Sequence, residues 1–134
     1  MARSLFLNLP VKNLEASVDF FTQLGFEFNL QFTDENATCM VLSDTAFVML
    51  LVEPFFQTFT DKKIADATTT VEAITAISAE SRAEVDELVS KAIEAGALST
   101  GRDPQDHGFM YQREFYDLDG HKWEVLWMDS GFVQ

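Results

Sequence analysis

The chain has 134 residues, 47% of them hydrophobic, a size and composition typical of one folded domain rather than of a disordered segment. Asp and Glu number 22 and Lys and Arg 9, giving a net charge of −13 at pH 7. Because an acidic surface repels phosphate groups, we expect neither nucleic acid nor a membrane surface as a partner. The single cysteine, Cys39, precludes an intrachain disulfide, and no signal peptide or membrane span is recognisable, so a cytoplasmic location is expected.

The first half of the chain predicts one strand, one helix and three further strands. Residues 4–11 are apolar and typical of a strand. A helix begins after the polar cap Asn13 and extends to Leu24, with apolar side chains at helical spacing, and Gly25 follows where a left-handed C-terminal cap belongs. Three strand-like stretches come next, at residues 26–32, 38–42 and 46–52.

The segment of residues 53–70 connects the first half to the second. It combines three phenylalanines with Lys62 and Lys63, and it has no clear period of its own. It is either a flexible linker or a flap over a pocket, and we prefer the linker.

The second half repeats the same order of elements. Residues 71–79 are strand-like, and a helix follows in which Ser81 and Glu84 form a capping-box pattern and Gly96 ends the apolar stripe. A weak strand near 97–99 precedes two clearer strands. These two strands, 109–116 and 121–128, flank the turn at 117–120.

The order strand, helix, three strands therefore occurs twice, as expected of two diverged copies of one module. We predict an α+β fold of two tandem β-α-β-β-β modules within one domain, 1–134. Module one covers about 1–54, a linker about 55–70, and module two about 71–134. The positions that correspond between the modules are Phe6 and Ile74, Gly25 and Gly96, and Met49 and Glu124.

Two motifs carry a resemblance to a known family. Residues 9–17 read LPVKNLEAS and are followed by FF at 20–21 and LGF at 24–26, while residues 117–125 read DLDGHKWEV. In this order and spacing they resemble the opening and closing motifs of the vicinal-oxygen-chelate superfamily, which includes glyoxalase I, bleomycin-resistance proteins and extradiol dioxygenases. The resemblance implies sheets that curl into a barrel-like cleft with helices outside, and a homodimer.

Metal-dependent members of that superfamily hold one divalent ion through His, Gln or Glu side chains at four positions. The resemblance places these positions at Phe6, Met49, Ile74 and Glu124. Only Glu124 is a suitable ligand, because Phe and Ile have no donor atom and the Met thioether is a poor partner for hard ions. We therefore expect no metal and no cofactor.

Both histidines, His107 and His121, are expected in or beside loops and not as metal ligands. Cys39 has no activating neighbour in the sequence, and it is interpreted as a small buried hydrophobe rather than a nucleophile.

Glu124 is expected to face the cleft among apolar neighbours. It is either a general base or ligand anchor, or an inherited residue that forms an ion pair, with Arg113 as the candidate partner. Asn8 shares the face of Phe6, where it either orients a ligand or satisfies a backbone group. Tyr111 either supplies a hydroxyl to the cleft or packs.

Three functions remain open from the sequence. The preferred one is binding of a small organic molecule without metal, with Phe6, Asn8, Met49, Ile74, Tyr111 and Arg113 as ligand contacts and Glu124 as the chemical group. The second is a glyoxalase-like (lactoylglutathione lyase-like) or dioxygenase enzyme that uses Glu124. The third is a structural or regulatory module whose cleft is filled by its own side chains.

Overall fold

The computed structural model describes residues 2–132, so Met1, Val133 and Gln134 at the ends of the predicted domain lie outside the described part. The chain divides into two compact units, with the boundary between Ile64 and Ala65. This boundary lies inside the predicted linker. None of the helices within residues 2–132 is long and apolar enough to cross a membrane.

The first unit contains one four-stranded sheet with the strand order β1-β4-β3-β2, in which β1 and β4 are parallel and the other pairs antiparallel. Its elements are β1 (Leu5–Val11), α1 (Leu14–Gln23), β2 (Glu27–Asn29), β3 (Ala37–Val41), β4 (Ala46–Val52) and a short α2 (Glu53–Phe56).

Helix α1 forms where the sequence predicted it. The Asn13 side chain accepts a hydrogen bond from the Ala16 amide at 3.0 Å, which caps the helix. At the other end Gly25 adopts a φ of 101°, a conformation that costs glycine little. Phe20 and Phe21 are each 1% exposed, so the helix buries its aromatic side in the core of this unit.

The second unit repeats the topology with the strand order β5-β8-β7-β6, and β5 and β8 are parallel. Its elements are β5 (Ile74–Ser78), α3 (Arg82–Glu94), β6 (Gln105–Asp106), β7 (Met110–Tyr116) and β8 (Lys122–Met128). The predicted α+β class and the duplication of a β-α-β-β-β module are confirmed at this level. Closure of the sheets into a barrel-like cleft stays a prediction.

Helix α3 packs on strands β7 and β8. Ser81 caps the helix by accepting from the Glu84 amide at 3.1 Å. Val85 and Val89 are fully buried on the helix, and Phe115 and Trp123 are buried on the strands with their rings stacked at 6.4 Å. Close packing of these side chains fixes the helix on one face of the sheet.

The turn between β7 and β8 is organised by a buried carboxylate. Asp117 Oδ1 accepts from the amides of Asp119 and His121, each at 3.0 Å, and Oδ2 accepts from the Trp123 indole N–H at 2.9 Å. Burial raises the pKa of Asp117, while His121 and these donors act in the opposite direction. The turn also requires Gly120, because a Cβ there would lie 2.7 Å from the carbonyl oxygen of Ala67.

Three predicted strands differ from the structure, and one of them, expected over 71–79, is limited to Ile74–Ser78. The strand expected over 26–32 ends at Asn29, because the Asn29 side chain accepts from the Gln31 amide and starts a 3₁₀ turn. The weak strand expected at 97–99 is reduced to one bridge between Leu98 and Tyr116, and the outer strand of the second sheet is β6 instead.

The segment predicted as a flexible linker has local structure at its start. Helix α2 begins at Glu53 with Pro54 in its first turn, and a 3₁₀ turn over Gln57–Phe59 follows it. The Gln57 side chain then donates to the carbonyl oxygens of Thr60 and Lys62 at 3.0 and 2.8 Å. These bonds hold a turn that composition alone did not indicate.

Candidate functional site

Each sheet has one face packed on its helix and an opposite face, which we call the far face. Strand register assigns side chains to these faces, because residues paired across strands point the same way. In the second unit Trp123 and Val125 lie on the helix side, each 0% exposed. Their neighbours along β8, Lys122 and Glu124, therefore lie on the far face, as the sequence predicted for Glu124.

Glu124 has a carboxylate neighbour on one of the two strands that flank β8. On β7 it pairs with Glu114, and on β5 it pairs with Ala76. Lys122 lies two residues before Glu124 on β8 and on the same face. It pairs with Tyr116 on β7 and with Ile74 on β5. The far face of the second sheet therefore brings two carboxylates and one ammonium group together.

Glu114 is a largely buried charged group of this cluster. Its side chain is 10% exposed, and its Oε2 lies 3.4 Å from Lys122 Nζ, on a side chain that is itself 11% exposed. Its Oε1 lies 3.6 Å from Nε of the exposed Arg102. Within residues 2–132 this oxygen accepts no hydrogen bond. A buried polar atom left in that condition costs about 1–3 kcal/mol, which an incoming donor would recover.

Glu124 has the predicted apolar neighbours Leu126 and Met128 on its own strand face, with Glu114 beside it, and the candidate ion pair with Arg113 is wrong. Register places Arg113 opposite Val125 on the helix side of the sheet. There its Nη1 donates to Asp86 Oδ1 of α3 at 3.1 Å. The alternation of β7 thus turns Arg113 away from Glu124 and brings Glu114 to it.

Tyr111 belongs to the same helix-side network. Its hydroxyl donates to Asp86 Oδ1 at 2.6 Å, and this hydrogen bond, with burial, raises the pKa of Tyr111. The Arg82 guanidinium lies 5.3 Å from the Tyr111 ring centroid and 5.1 Å from that of Trp127. The structure therefore does not place Tyr111 or Arg113 on the far face beside Glu124, and both side chains connect α3 to the sheet.

Arg82 also fixes the outer strand β6. Its two terminal nitrogens donate to Asp106 at 2.6 and 3.0 Å, and it donates to the Gly108 carbonyl oxygen at 2.9 Å. The hydrogen bond from Arg82 lowers the pKa of Asp106 to about 2.

The far face of the first sheet is mainly apolar. Phe6 and Phe47 pair in register and stack with ring centroids 5.0 Å apart, and Asn8 pairs with Met49. Phe6 is 55% exposed. The Asn8 amide donates to the Phe6 carbonyl oxygen at 3.1 Å, in agreement with the interpretation that Asn8 satisfies a backbone group.

Cys39 pairs with Met49 on the same far face. It is 2% exposed, and burial raises the pKa of its thiol. A buried thiol of raised pKa is a poor nucleophile, as expected of a core residue.

The residues at the superfamily's four metal positions do not fit a metal ion. Phe6 and Met49 offer no hard donor in the first unit, and in the second Ile74 adds nothing to Glu124. Within residues 2–132 no three His, Cys, Asp or Glu side chains are arranged to hold an ion.

A cavity of about 390 Å³ lies in the second unit. One wall contains Tyr116, whose register partner is Lys122. The other walls comprise Leu98, Ser99, Gly120 and the segment 67–71. Pockets of roughly 300–1,000 Å³ accommodate small organic molecules.

Glu114 is the site residue that the sequence interpretation missed. The turn predicted at 117–120 does not reveal it, because equal steps outward from that turn pair Tyr116 with His121 and Glu114 with Trp123. The observed connection is one residue longer, and it pairs Tyr116 with Lys122 and Glu114 with Glu124. The run from Tyr111 to Tyr116 mixes polar and aromatic side chains on both faces, so its alternation alone did not indicate the face.

Comparison with known proteins supports the resemblance seen in the motifs. Residues 3–43 match the family described as bleomycin resistance protein-like N-terminal. No curated protein matches the chain significantly.

Several solved structures share the fold. A hypothetical protein SA1046 from S. aureus has a TM-score of 0.78 and 29% identity, with 94% of each chain covered. A glyoxalase/bleomycin resistance protein/dioxygenase family enzyme from Burkholderia phytofirmans PsJN has a TM-score of 0.77 and 16% identity, covering 95% of this chain and 99% of that one. The fosfomycin resistance protein FosX from Listeria monocytogenes has a TM-score of 0.67 and 17% identity, covering 95% and 93%. The first third of the chain therefore resembles the bleomycin resistance protein-like family, and the chain as a whole shares the fold of glyoxalase/bleomycin resistance/dioxygenase proteins.

Proposed function

We propose that the chain binds a small organic molecule without a metal, on the far face of the second sheet, with Glu114 and Glu124 as its polar anchors. The observation that carries the proposal is Glu114 Oε1, which is buried beside a second carboxylate and accepts no hydrogen bond from residues 2–132. A ligand N–H or O–H donor would satisfy it.

The surroundings of the two carboxylates suit an organic ligand. Leu126 and Met128 follow Glu124 on the same face of β8, and Ile74 on β5 is 49% exposed. Apolar surface around a few polar groups is typical of small-molecule sites. Phe6, Asn8 and Met49 in the first unit stay predicted ligand contacts, as do a homodimeric assembly and a cytoplasmic location.

The other two functions have less support. Glyoxalase-like or dioxygenase chemistry would need a metal at positions of which only Glu124 offers a suitable donor. A cleft filled by its own side chains would bury Phe6 and Ile74, whereas these are 55% and 49% exposed. Binding is therefore the function that the geometry supports best.

The test is a thermal-shift screen of chelator-treated protein against neutral and charged organic fragments, with divalent ions in separate wells. A ligand that binds only the folded state at 100 times its Kd adds about 2.7 kcal/mol to the free energy of unfolding and raises the Tm. We expect fragments to shift the wild-type protein, and Glu124→Gln to lose the shift. Glu94→Gln, at the exposed end of α3, is the matched control.

A different result would reject the proposal. If Zn, Ni, Mn or Fe raises the Tm of the wild-type protein and Glu124→Gln abolishes that rise, the metal-free site is wrong and the enzymatic alternative gains the support. If no fragment shifts the protein, small-molecule binding itself is wrong.

A further inference from the structure

Arg102 lies against Glu114 without satisfying it. Its Nε is 3.6 Å from Oε1, a distance beyond that of a hydrogen bond. The other two arginine–carboxylate pairs described in this unit are closer: Arg82 reaches Asp106 at 2.6 Å, and Arg113 reaches Asp86 at 3.1 Å, both by hydrogen bonds. Arg102 therefore covers a buried acceptor that it does not bond.

The burial of the two partners is very unequal. The Glu114 side chain is nine-tenths buried, whereas that of Arg102 is 64% exposed. Because Arg102 forms no hydrogen bond to Oε1, its release breaks none, and the cost of release is the charge left on the buried carboxylate. Lys122 is 11% exposed and stays with Oε2, which leaves Oε1 as the position that an incoming group reaches.

We infer that Arg102 stands in for a cationic head group of the ligand, and that a ligand carrying an amidinium or guanidinium group displaces it from Glu114. This inference rests on the proposed function. It adds the chemical class of the ligand, and it states that the ligand must displace the Arg102 side chain from Glu114 before it binds.

The charges of the cluster select a cation. With Arg102 in place, the two carboxylates, Glu114 and Glu124, are balanced by Lys122 and Arg102. When Arg102 leaves, the two carboxylates and Lys122 carry one net negative charge in a partly buried position, and a neutral ligand would not compensate it. A cationic ligand restores the balance.

The geometry selects a planar, forked cation. Cβ atoms of residues paired across antiparallel strands lie about 4.5–5.5 Å apart, so the Glu114 and Glu124 carboxylates are within reach of one group. An amidinium or guanidinium presents two parallel N–H donors in a fixed fork, whereas a neutral amide presents fewer donors and no charge. One N–H would reach Glu114 Oε1 and the other Glu124.

The experiment compares benzamidine with its neutral isostere benzamide, titrated into isotopically labelled full-length protein and followed by NMR. We expect Arg102→Ala to raise the affinity for benzamidine about tenfold and to leave that for benzamide unchanged, since the competing cation is gone. Glu114→Gln in the Arg102→Ala background is expected to abolish the gain. Lys91→Ala is the matched control, because it removes one positive charge from an exposed ion pair elsewhere in the same unit.

Three results would overturn the inference: benzamidine affinity unchanged by Arg102→Ala, benzamide affinity raised equally, or the same gain from Lys91→Ala. If neutral fragments still raise the Tm in the screen above, the proposed binding function survives this failure. If Glu114→Gln does not fold, Glu124→Gln in the same background removes the second arm of the fork and is expected to reduce the gain.

Discussion

The two sheets share one topology, yet their far faces carry opposite chemistry at equivalent positions. In the first sheet these positions are apolar, and in the second they are charged. The equivalent pairs, first sheet then second, are Phe47 and Lys122, Met49 and Glu124, and Cys39 and Glu114. The duplicated scaffold therefore sets where side chains stand, and substitution within one copy decides which face has polar recognition groups.

The helix sides differ as well. In the first unit α1 buries two phenylalanines and a serine, while in the second Asp86 of α3 binds Tyr111 and Arg113 of the sheet. Polar side chains thus serve two separate tasks in the second unit. Those on the helix side form hydrogen bonds that connect α3 to the sheet, and on the far face Glu114 Oε1 accepts none from residues 2–132.

The largest expected effect on stability distinguishes the turn between β7 and β8 from the turn between β3 and β4. Asp117→Ala would leave the buried Trp123 N–H and two turn amides without their acceptor, so the free energy of unfolding should fall by about 3 kcal/mol. Ser43 plays the equivalent part in the first unit, accepting from the amides of Thr45 and Ala46 at 3.2 and 3.1 Å. It is exposed, so water replaces it and Ser43→Ala should cost about 0.5 kcal/mol.

Urea denaturation of both variants measures this difference. Equal losses would show that burial of the Asp117 carboxylate is not what distinguishes the turns.

A smaller effect comes from giving the second sheet the apolar far face of the first. Lys122→Met leaves Glu114 buried without its nearest cation and should cost about 2 kcal/mol. Adding Glu114→Val should recover part of that loss, with a coupling of about 1 kcal/mol or more in a double-mutant cycle. Additive losses, measured by chemical denaturation of the four proteins, would contradict the idea that the pair is a unit.

The smallest effect concerns the outer strands. The folded pKa of Asp106 is about 2, below the ordinary 3.8, because Arg82 bonds its carboxylate. For an acid of lowered pKa the stabilisation is present above the unfolded value and is lost as the pH falls through the folded value. Stability should therefore fall between about pH 4 and pH 2, and Asp106→Asn should flatten that part of the profile.

Thermal denaturation across this pH range measures the effect, and Arg82→Met, which removes the cause, should give the same flattened profile. An Asp106→Asn profile as steep as that of the wild-type protein would mean that other carboxylates dominate.

The predicted elements were most accurate where their signals are local. Asn13 and Ser81 cap their helices, and Gly25 and Gly96 adopt left-handed conformations after them. The weakest prediction was the outer strand of the second sheet. Its two residues, Gln105 and Asp106, are ordered by pairing with β7 and by Arg82 from the helix, and neither interaction is visible in a local pattern.

The sequence by itself determined the order of the elements and the duplication, because caps, periodicity and turn residues act within a few positions along the chain. It also identified Glu124 as the retained polar group of the far face. Only the tertiary structure decided which side chains lie next to Glu124. It places Glu114 beside Glu124, and it places Tyr111 and Arg113 on the opposite face, where they bind Asp86. The reason is register: a shift of one residue on β7 would reverse every one of these assignments, and register is fixed by packing against α3.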